Sequence, residues 1–172
     1  MARRGNLRVG LDDGSGWEMR IVSFLERCDV IGFLPVGSKR EVLACLVDLL
    51  VKNHPELNGC ILLDILMKRE DLRSTGIEQG VAFPHGRVPG LTRLIACFAR
   101  SREGVDFNSF DGQPTHFFFL LLIPENAQGA HLKALARLNR LFHDSALCQQ
   151  LLEAGDEEGL FGRIVEEDLR CG

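Results

Sequence analysis

The sequence has no tyrosine and a single tryptophan, Trp17, among its 172 residues. A tyrosine acid or base is therefore excluded. Three common catalytic motifs are also missing: the phosphate-binding loop G-x-x-x-x-G-K-[ST], the nucleophile elbow G-x-S-x-G and the zinc motif H-E-x-x-H. These absences argue against nucleotide hydrolysis, serine-hydrolase chemistry and zinc-peptidase chemistry.

The chain also lacks a strong basic charge and a long hydrophobic run. Its formal net charge is −4, and its Lys and Arg residues form no basic stripe of the kind that nucleic-acid binding requires. The apolar run at 117–123 has seven residues, far too few to cross a bilayer. Residues 1–10 are basic but lack the apolar core of a secretory signal. We expect no nucleic-acid partner and no stable membrane insertion.

The six cysteines follow no pairing or metal-binding pattern. No two of them form C-x-x-C, and none belongs to a Cys/His cluster at ligand spacing. Cys45 and Cys97 lie in apolar stretches and are interpreted as small core residues. This usage predicts no metal site and is simplest to explain in the reducing cytoplasm.

The length of the chain is sufficient for one domain with a sizeable core. Residues 1–19 are rich in Gly, Arg and Asp, and we interpret them as a flexible extension ahead of one domain at 20–172. Within that domain the patterns of helix and strand alternate. Strand patterns lie at 28–34, 81–83, 94–98 and 116–123, and helical patterns at 38–52, 58–70, 131–142, 146–154 and 157–169.

Three local signals sharpen this assignment. Ser38 and Glu41 have the spacing of a capping box at the start of the first helix. That helix ends near His54, which we interpret as a helix-end residue rather than a ligand. The run 117–123 lacks polar alternation, which predicts a central strand covered on both faces.

The motif with the clearest chemical content is G-V-A-F-P-H-G-R at 80–87. Pro84 fixes its own φ and restricts Phe83 to extended geometry, while Gly86 permits a sharp turn or a close ligand approach. Arg87 is a fork-shaped donor for phosphate or carboxylate. We predict that His85 sits on a stiff turn at a strand end, where it suits nucleophilic attack on an anionic group. The alternative is an ordinary polar loop histidine.

A second histidine, His131, opens the helical pattern that follows a loop at 124–129. Apolar residues recur along this helix with a period that gives one buried stripe. A neutral imidazole facing an anion fits a helix N terminus, where free N–H groups and the macrodipole favour phosphate. The alternative is a first-turn histidine hydrogen-bonded to solvent.

Four segments carry a family resemblance: R-E at 69–70, S-T-G-I at 74–77, the octapeptide at 80–87 and H-L-K-A-L-A-R-L at 131–138. On the basis of these segments, the sequence from about 22 to 167 resembles the enzyme IIA domains of the fructose/mannitol class. These domains belong to the bacterial phosphoenolpyruvate-dependent phosphotransferase system. The sequence is most similar to their stand-alone nitrogen-regulatory branch. It departs from the pattern at Glu78-Gln79, where relatives often carry Gly and a small or polar residue, and at the bulky Phe83.

The resemblance implies a single α/β domain with a mixed parallel and antiparallel central sheet flanked by helices on both faces. It implies that His85 is phosphorylated, with Nε2 as the acceptor, and that His131 and Arg69 assist. No metal and no organic cofactor are implied. The positions that we assign on this basis to phosphate or partner binding are Gly86, Arg87, Phe83 and Thr75.

The function implied is phosphoryl relay from a histidine-containing phosphocarrier protein, with a nitrogen-related regulatory output through target proteins. One alternative is a sugar-specific enzyme IIA that passes phosphate to a separate permease component. Another is a non-catalytic interaction module switched by phosphorylation. We expect the carrier to dock on an apolar surface around His85, with Phe83 and the residues after Arg87 at its rim.

Overall fold

The computed structural model describes residues 19–35 and 37–171. A short 3₁₀ turn, Ile21–Ser23, precedes the regular elements. The strands are β1 (Leu25–Ile31), β2 (Val81–Ala82), β3 (His85–Val88), β4 (Ile95–Val105) and β5 (Thr115–Pro124). The helices are α1 (Lys39–Asn53), α2 (Gly59–Leu72), α3 (Ala130–Phe142), α4 (Ser145–Glu153) and α5 (Glu157–Arg170).

The five strands form one mixed sheet. Its order is β1-β4-β5-β2, and β3 pairs with β5 further along the same edge. β4 and β5 are antiparallel, whereas β1 runs parallel to β4, and β2 and β3 run parallel to β5. The predicted α/β class with a mixed central sheet is therefore confirmed.

Each face of the sheet has its own apolar core, because successive side chains of a strand point to opposite faces. In β5, Phe117, Phe119 and Leu121 belong to the cluster that α3, α4 and α5 cover. The alternate residues Phe118 and Leu120 belong to the cluster that α1 and α2 cover. Both faces of β5 are buried, as its unbroken apolar run predicts.

The helix starts were predicted well and the strand ends less well. The capping box of Ser38 and Glu41 is formed, and Asn58 caps α2 by accepting from the Ile61 N–H. β1 lies at Leu25–Ile31 rather than 28–34, and β4 continues to Val105, well past the predicted end. β3 was not predicted as a strand.

The predicted N-terminal extension, residues 1–19, lies outside the described residues except for Met19. Met19 packs against the apolar cluster that α3, α4 and α5 cover. In the part of the chain that the structure describes, no helix is long and apolar enough to span a membrane. All six cysteines are free, and Cys97 is buried as expected.

Candidate active site around His85

His85 opens strand β3 rather than sitting on a turn, which corrects the expectation from Pro84 and Gly86. The strand forms because the edge of β5 has unpaired backbone groups: the Leu121 N–H donates to the Pro84 carbonyl at 2.8 Å, and His85 then pairs with Leu121. The pleat of β3 places His85 and Arg87 on the side of the sheet that α3 covers.

Gly86 has a packing role that differs from the predicted one. Its side of β3 faces α2, and a Cβ at this position would lie 2.7 Å from Cγ2 of Ile65. No neighbouring side chain other than that of Ile65 approaches so closely. The residue therefore lets α2 pack closely against β3, and neither a sharp turn nor ligand contact is needed to explain it.

The His85 ring is fixed by one hydrogen bond. Its Nδ1 lies 2.8 Å from the carbonyl oxygen of Phe83. A carbonyl only accepts, so Nδ1 carries the proton and Nε2 keeps a lone pair. Partial burial lowers the pKa of His85, and the nearby positive charge of Arg69 adds to this. The ring is therefore neutral at neutral pH, with a nucleophilic nitrogen available.

Arg69 lies in the last turn of α2, beside His85. Its Nη1 donates to the Arg73 carbonyl at 3.1 Å, which holds the guanidinium at the end of the helix. The side chain lines the same open cleft as His85, with a volume of roughly 1200 Å³. Arg69 and His85 thus line one cleft, although sixteen residues separate them in the chain.

The segment that follows α2 lines the cleft, and the buried carboxylate of Glu70 anchors it through hydrogen bonds. It accepts the Thr75 N–H at 2.9 Å and the Thr75 hydroxyl, and it pairs with Nζ of Lys39 at 3.0 Å. The Thr75 hydroxyl is therefore already engaged and is not a free phosphate ligand in this arrangement. Lys39 was not predicted at this site, because its contact with Glu70 spans 31 positions and no local pattern marks it.

His131 is the second residue of α3, as predicted. Gly129 precedes the helix as its N-cap; its φ of 87° is left-handed, and without a side chain it leaves the N terminus with no side-chain cap. Nε2 of His131 lies 3.5 Å from Nη2 of Arg87, and its Nδ1 is buried without a hydrogen-bond partner. A charge on His131 would reach His85 and lower the pKa of that residue.

Phe83 does not form an exposed rim. Its side chain is 6% exposed and packs edge-to-face against Phe142, with ring centroids 6.0 Å apart. The residue contributes to the site in two ways: its ring packs in the core against Phe142, and its carbonyl accepts a hydrogen bond from His85 Nδ1. The exposed apolar groups at the cleft are instead Leu72 and Phe110, which are 84% and 75% exposed.

The structure thus gathers Arg69, Thr75, Phe83 and His85 in one cleft, with Arg87 and His131 in contact with each other on the α3 side. Across 19–35 and 37–171, the one cluster with three potential metal ligands is Glu26, Asp29 and His54. None of these three residues lines the cleft.

The model of the family described as phosphoenolpyruvate-dependent sugar phosphotransferase system, EIIA 2, matches residues 24–167. The chain belongs to this family. Enzyme IIA domains are components of a phosphotransferase system, so the resemblance inferred from the four motif segments is confirmed.

Relatives of this enzyme IIA domain include regulatory and sugar-specific proteins. The nitrogen regulatory protein of Bradyrhizobium diazoefficiens is 38% identical over 139 residues, covering 79% of this chain and 88% of the relative. The fructose-specific EIIABC component of Bacillus subtilis is 38% identical over 105 residues, 61% of this chain and 16% of that protein.

Solved structures of enzyme IIA proteins are similar to this chain in fold. The nitrogen regulatory protein IIA-Ntr from Neisseria meningitidis superposes with a TM-score of 0.77 at 34% identity, covering 82% of this chain and 96% of the other. IIA mannitol from Escherichia coli shares the fold with a TM-score of 0.67 at 17% identity, over 79% and 95% of the two chains.

Proposed function

We propose that this enzyme IIA domain is a phosphoryl-relay protein that accepts a phosphoryl group on Nε2 of His85 from a phosphohistidine carrier protein. The observation that carries the proposal is the contact between His85 Nδ1 and the Phe83 carbonyl at 2.8 Å. It leaves Nε2 unprotonated in a neutral ring, next to an open cleft with a guanidinium at its edge.

The transfer step needs no external base. A bond forms between Nε2 and phosphorus while the phosphorus–nitrogen bond of the donor breaks, and the donor ring takes back the electron pair. His85 keeps its Nδ1 proton, so its ring gains positive charge, which the Phe83 carbonyl stabilises. Catalysis is then mainly positioning and charge stabilisation of a loose transition state.

Two groups beside His85 suit the charge of the transferred phosphoryl group. Arg69 supplies a fixed positive charge from the end of α2. His131 supplies a ring nitrogen without a partner from the start of α3. Donors that are already in place stabilise developing charge without reorganisation during the reaction.

A regulatory, nitrogen-related output is favoured by relatives that span most of this chain and carry nitrogen regulatory names. A sugar-specific enzyme IIA is the second candidate, because a fructose-specific EIIA component of Haloferax volcanii is 31% identical over 77% of this chain. In a third candidate, phosphorylation of His85 only switches an interaction surface by adding about −1.5 to −2 units of charge.

The test of the relay is direct. The protein is incubated with phosphoenolpyruvate, enzyme I and the histidine phosphocarrier, and its intact mass is measured. One acid-labile, base-stable phosphoryl group is expected, and no mass change would contradict the proposal. Subsequent addition of an enzyme IIB of the fructose/mannitol class separates the outputs: rapid loss of the label indicates transport, and retention indicates regulation.

We further propose that the carrier docks across Leu72 and Phe110, the exposed apolar groups of the cleft. Phe110→Ser should weaken carrier-dependent labelling roughly fivefold, which corresponds to a loss of about 1 kcal/mol, the level that separates the important contact residues of an interface from the rest. Labelling by the small donor phosphoramidate should not change. Leu169→Ser is the matched control, because Leu169 is 62% exposed on α5 and does not line the cleft. Equal losses with both donors would contradict a docking role.

A further inference from the structure

Arg87 was expected to bind phosphate or the carrier, but the structure gives its guanidinium two other contacts. Nη1 donates to the carbonyl oxygen of Glu125 at 2.9 Å, just after β5. Nη2 lies 3.5 Å from Nε2 of His131 at the start of α3. The guanidinium therefore links three segments of the site: β3, the loop after β5 and α3.

In the contact between Arg87 and His131, only Arg87 can be the hydrogen-bond donor. A guanidinium has five N–H donors and no acceptor, and it does not lose its proton in proteins. Nε2 of His131 can face it favourably only as an acceptor, with its lone pair free. In the neutral ring the proton then sits on Nδ1.

That proton meets no partner in the unphosphorylated protein. Nδ1 of His131 is shielded from solvent and makes no hydrogen bond. An unpaired buried donor is costly and needs an explanation, such as a ligand that arrives later. The phosphoryl oxygens on the neighbouring His85 are the acceptors that the proposed function supplies.

We propose that Arg87 is a positioning residue that acts through His131. Its guanidinium selects the tautomer of His131 that has Nδ1 protonated, and it thereby keeps an N–H donor ready for the phosphoryl group. The use of this N–H donor by a phosphoryl group rests on the proposed function, but the tautomer itself can be observed without any phosphorylation. Arg87 and His85 share one face of β3, so the same strand places the acceptor and the residue that orients its helper.

The tautomer is measured in ¹⁵N-histidine-labelled protein by long-range ¹H–¹⁵N correlation at mildly alkaline pH. The wild type should show His131 protonated on Nδ1. Arg87→Met should shift His131 toward the Nε2-protonated form, and Arg87→Lys should retain part of the wild-type signal. Arg93→Met is the control, since Arg93 is half exposed and pairs with Glu26. A wild-type ring protonated on Nε2, or a tautomer that Arg87→Met leaves unchanged, would overturn the proposal.

Kinetics give a second readout. Arg87→Met should slow labelling of His85 by roughly ten- to a hundredfold, and by the same factor with the phosphocarrier and with phosphoramidate. In combination with His131→Ala it should add almost nothing, because both changes remove one effect. Additive losses, or a loss seen only with the carrier, would contradict a role through His131. Absence of labelling in the wild type would refute the relay itself and leave the tautomer result intact.

Discussion

His85 and His54 both lie where a regular element begins or ends, and both rings are held by one hydrogen bond, yet the two sites differ in kind. His54 caps the C terminus of α1, is 5% exposed and places Nε2 2.8 Å from the Asp29 carboxylate. His85 is half-buried and uses Nδ1 on a backbone carbonyl. Nε2 of His54 is engaged in a structural contact with Asp29, whereas Nε2 of His85 has no such contact and is available.

The two histidines differ more in their hydrogen-bond partner and in the nitrogen left free than in their sequence context. Asp29 is fully buried and also accepts from Asn53, so the His54 site ties β1 to the end of α1. A buried carboxylate needs such donors, because burial without them is costly. At His85 the polar partner is a neutral carbonyl, and the charged side chains nearby are those of Arg69 and Glu70.

The largest expected effect comes from removing the proposed acceptor, His85. His85→Ala should abolish phosphoryl labelling completely, because it removes the ring whose Nε2 is the proposed acceptor. Intact-mass measurement after incubation with the full relay checks this. An Ala variant that still labels stoichiometrically would show that His85 is not the site.

Removing His131, the proposed helper of the transfer, should have the next largest effect. His131→Ala should slow labelling of His85 by about 10²–10³, the usual loss for one preorganised donor, and leave the final extent unchanged. His143→Ala is the matched control, since His143 ends the same helix, lines the cleft and is exposed. Wild-type rates in the His131 variant would support its alternative interpretation as an ordinary first-turn residue.

The structural histidine should behave in the opposite way. His54→Ala should lower the free energy of unfolding by about 1–3 kcal/mol, because the buried Asp29 loses a donor. The rate of His85 labelling in the folded protein should stay at the wild-type value. Chemical denaturation and single-turnover labelling measure the two effects separately. Slower labelling without a stability loss would reverse the assignment of the two histidines.

The smallest effect concerns pH. Burial, with the charge of Arg69, lowers the pKa of His85 below the ordinary value of about 6.5. Nuclear magnetic resonance titration of the His85 ring should therefore show a midpoint below that value. The native state resists protonation more than the unfolded state does, so this residue should reduce stability as the pH falls through about 6.5 toward its native pKa. In Arg69→Gln the midpoint should move upward, and an unchanged midpoint would remove Arg69 from the electrostatics of the site.

Much of the fold was predictable because it rests on local periodicity. The apolar run of β5 and the capping box of α1 each follow from residues a few positions apart. The apolar period of α3 predicts its buried Leu138 and Phe142, but Leu132, which shares that period, is 62% exposed. β3 was missed, because H-G-R-V has neither the length nor the apolar content of a strand. It forms at the edge of β5, whose unpaired groups supply its hydrogen bonds.

The sequence alone is enough to predict the helices, the caps of α1 and α2, the central strand and the residue types of the candidate site, because these depend on side-chain period and local hydrogen bonding. Three features are visible only in the folded protein: the free nitrogen of His85, the role of Gly86 in the packing of α2, and the contact between Arg87 and His131. These are contacts between segments brought together by the sheet: α2 crosses β3 at Ile65, and Arg87 and His131 lie 44 positions apart. Their geometry is set by strand register and helix packing, which no local pattern of residues encodes.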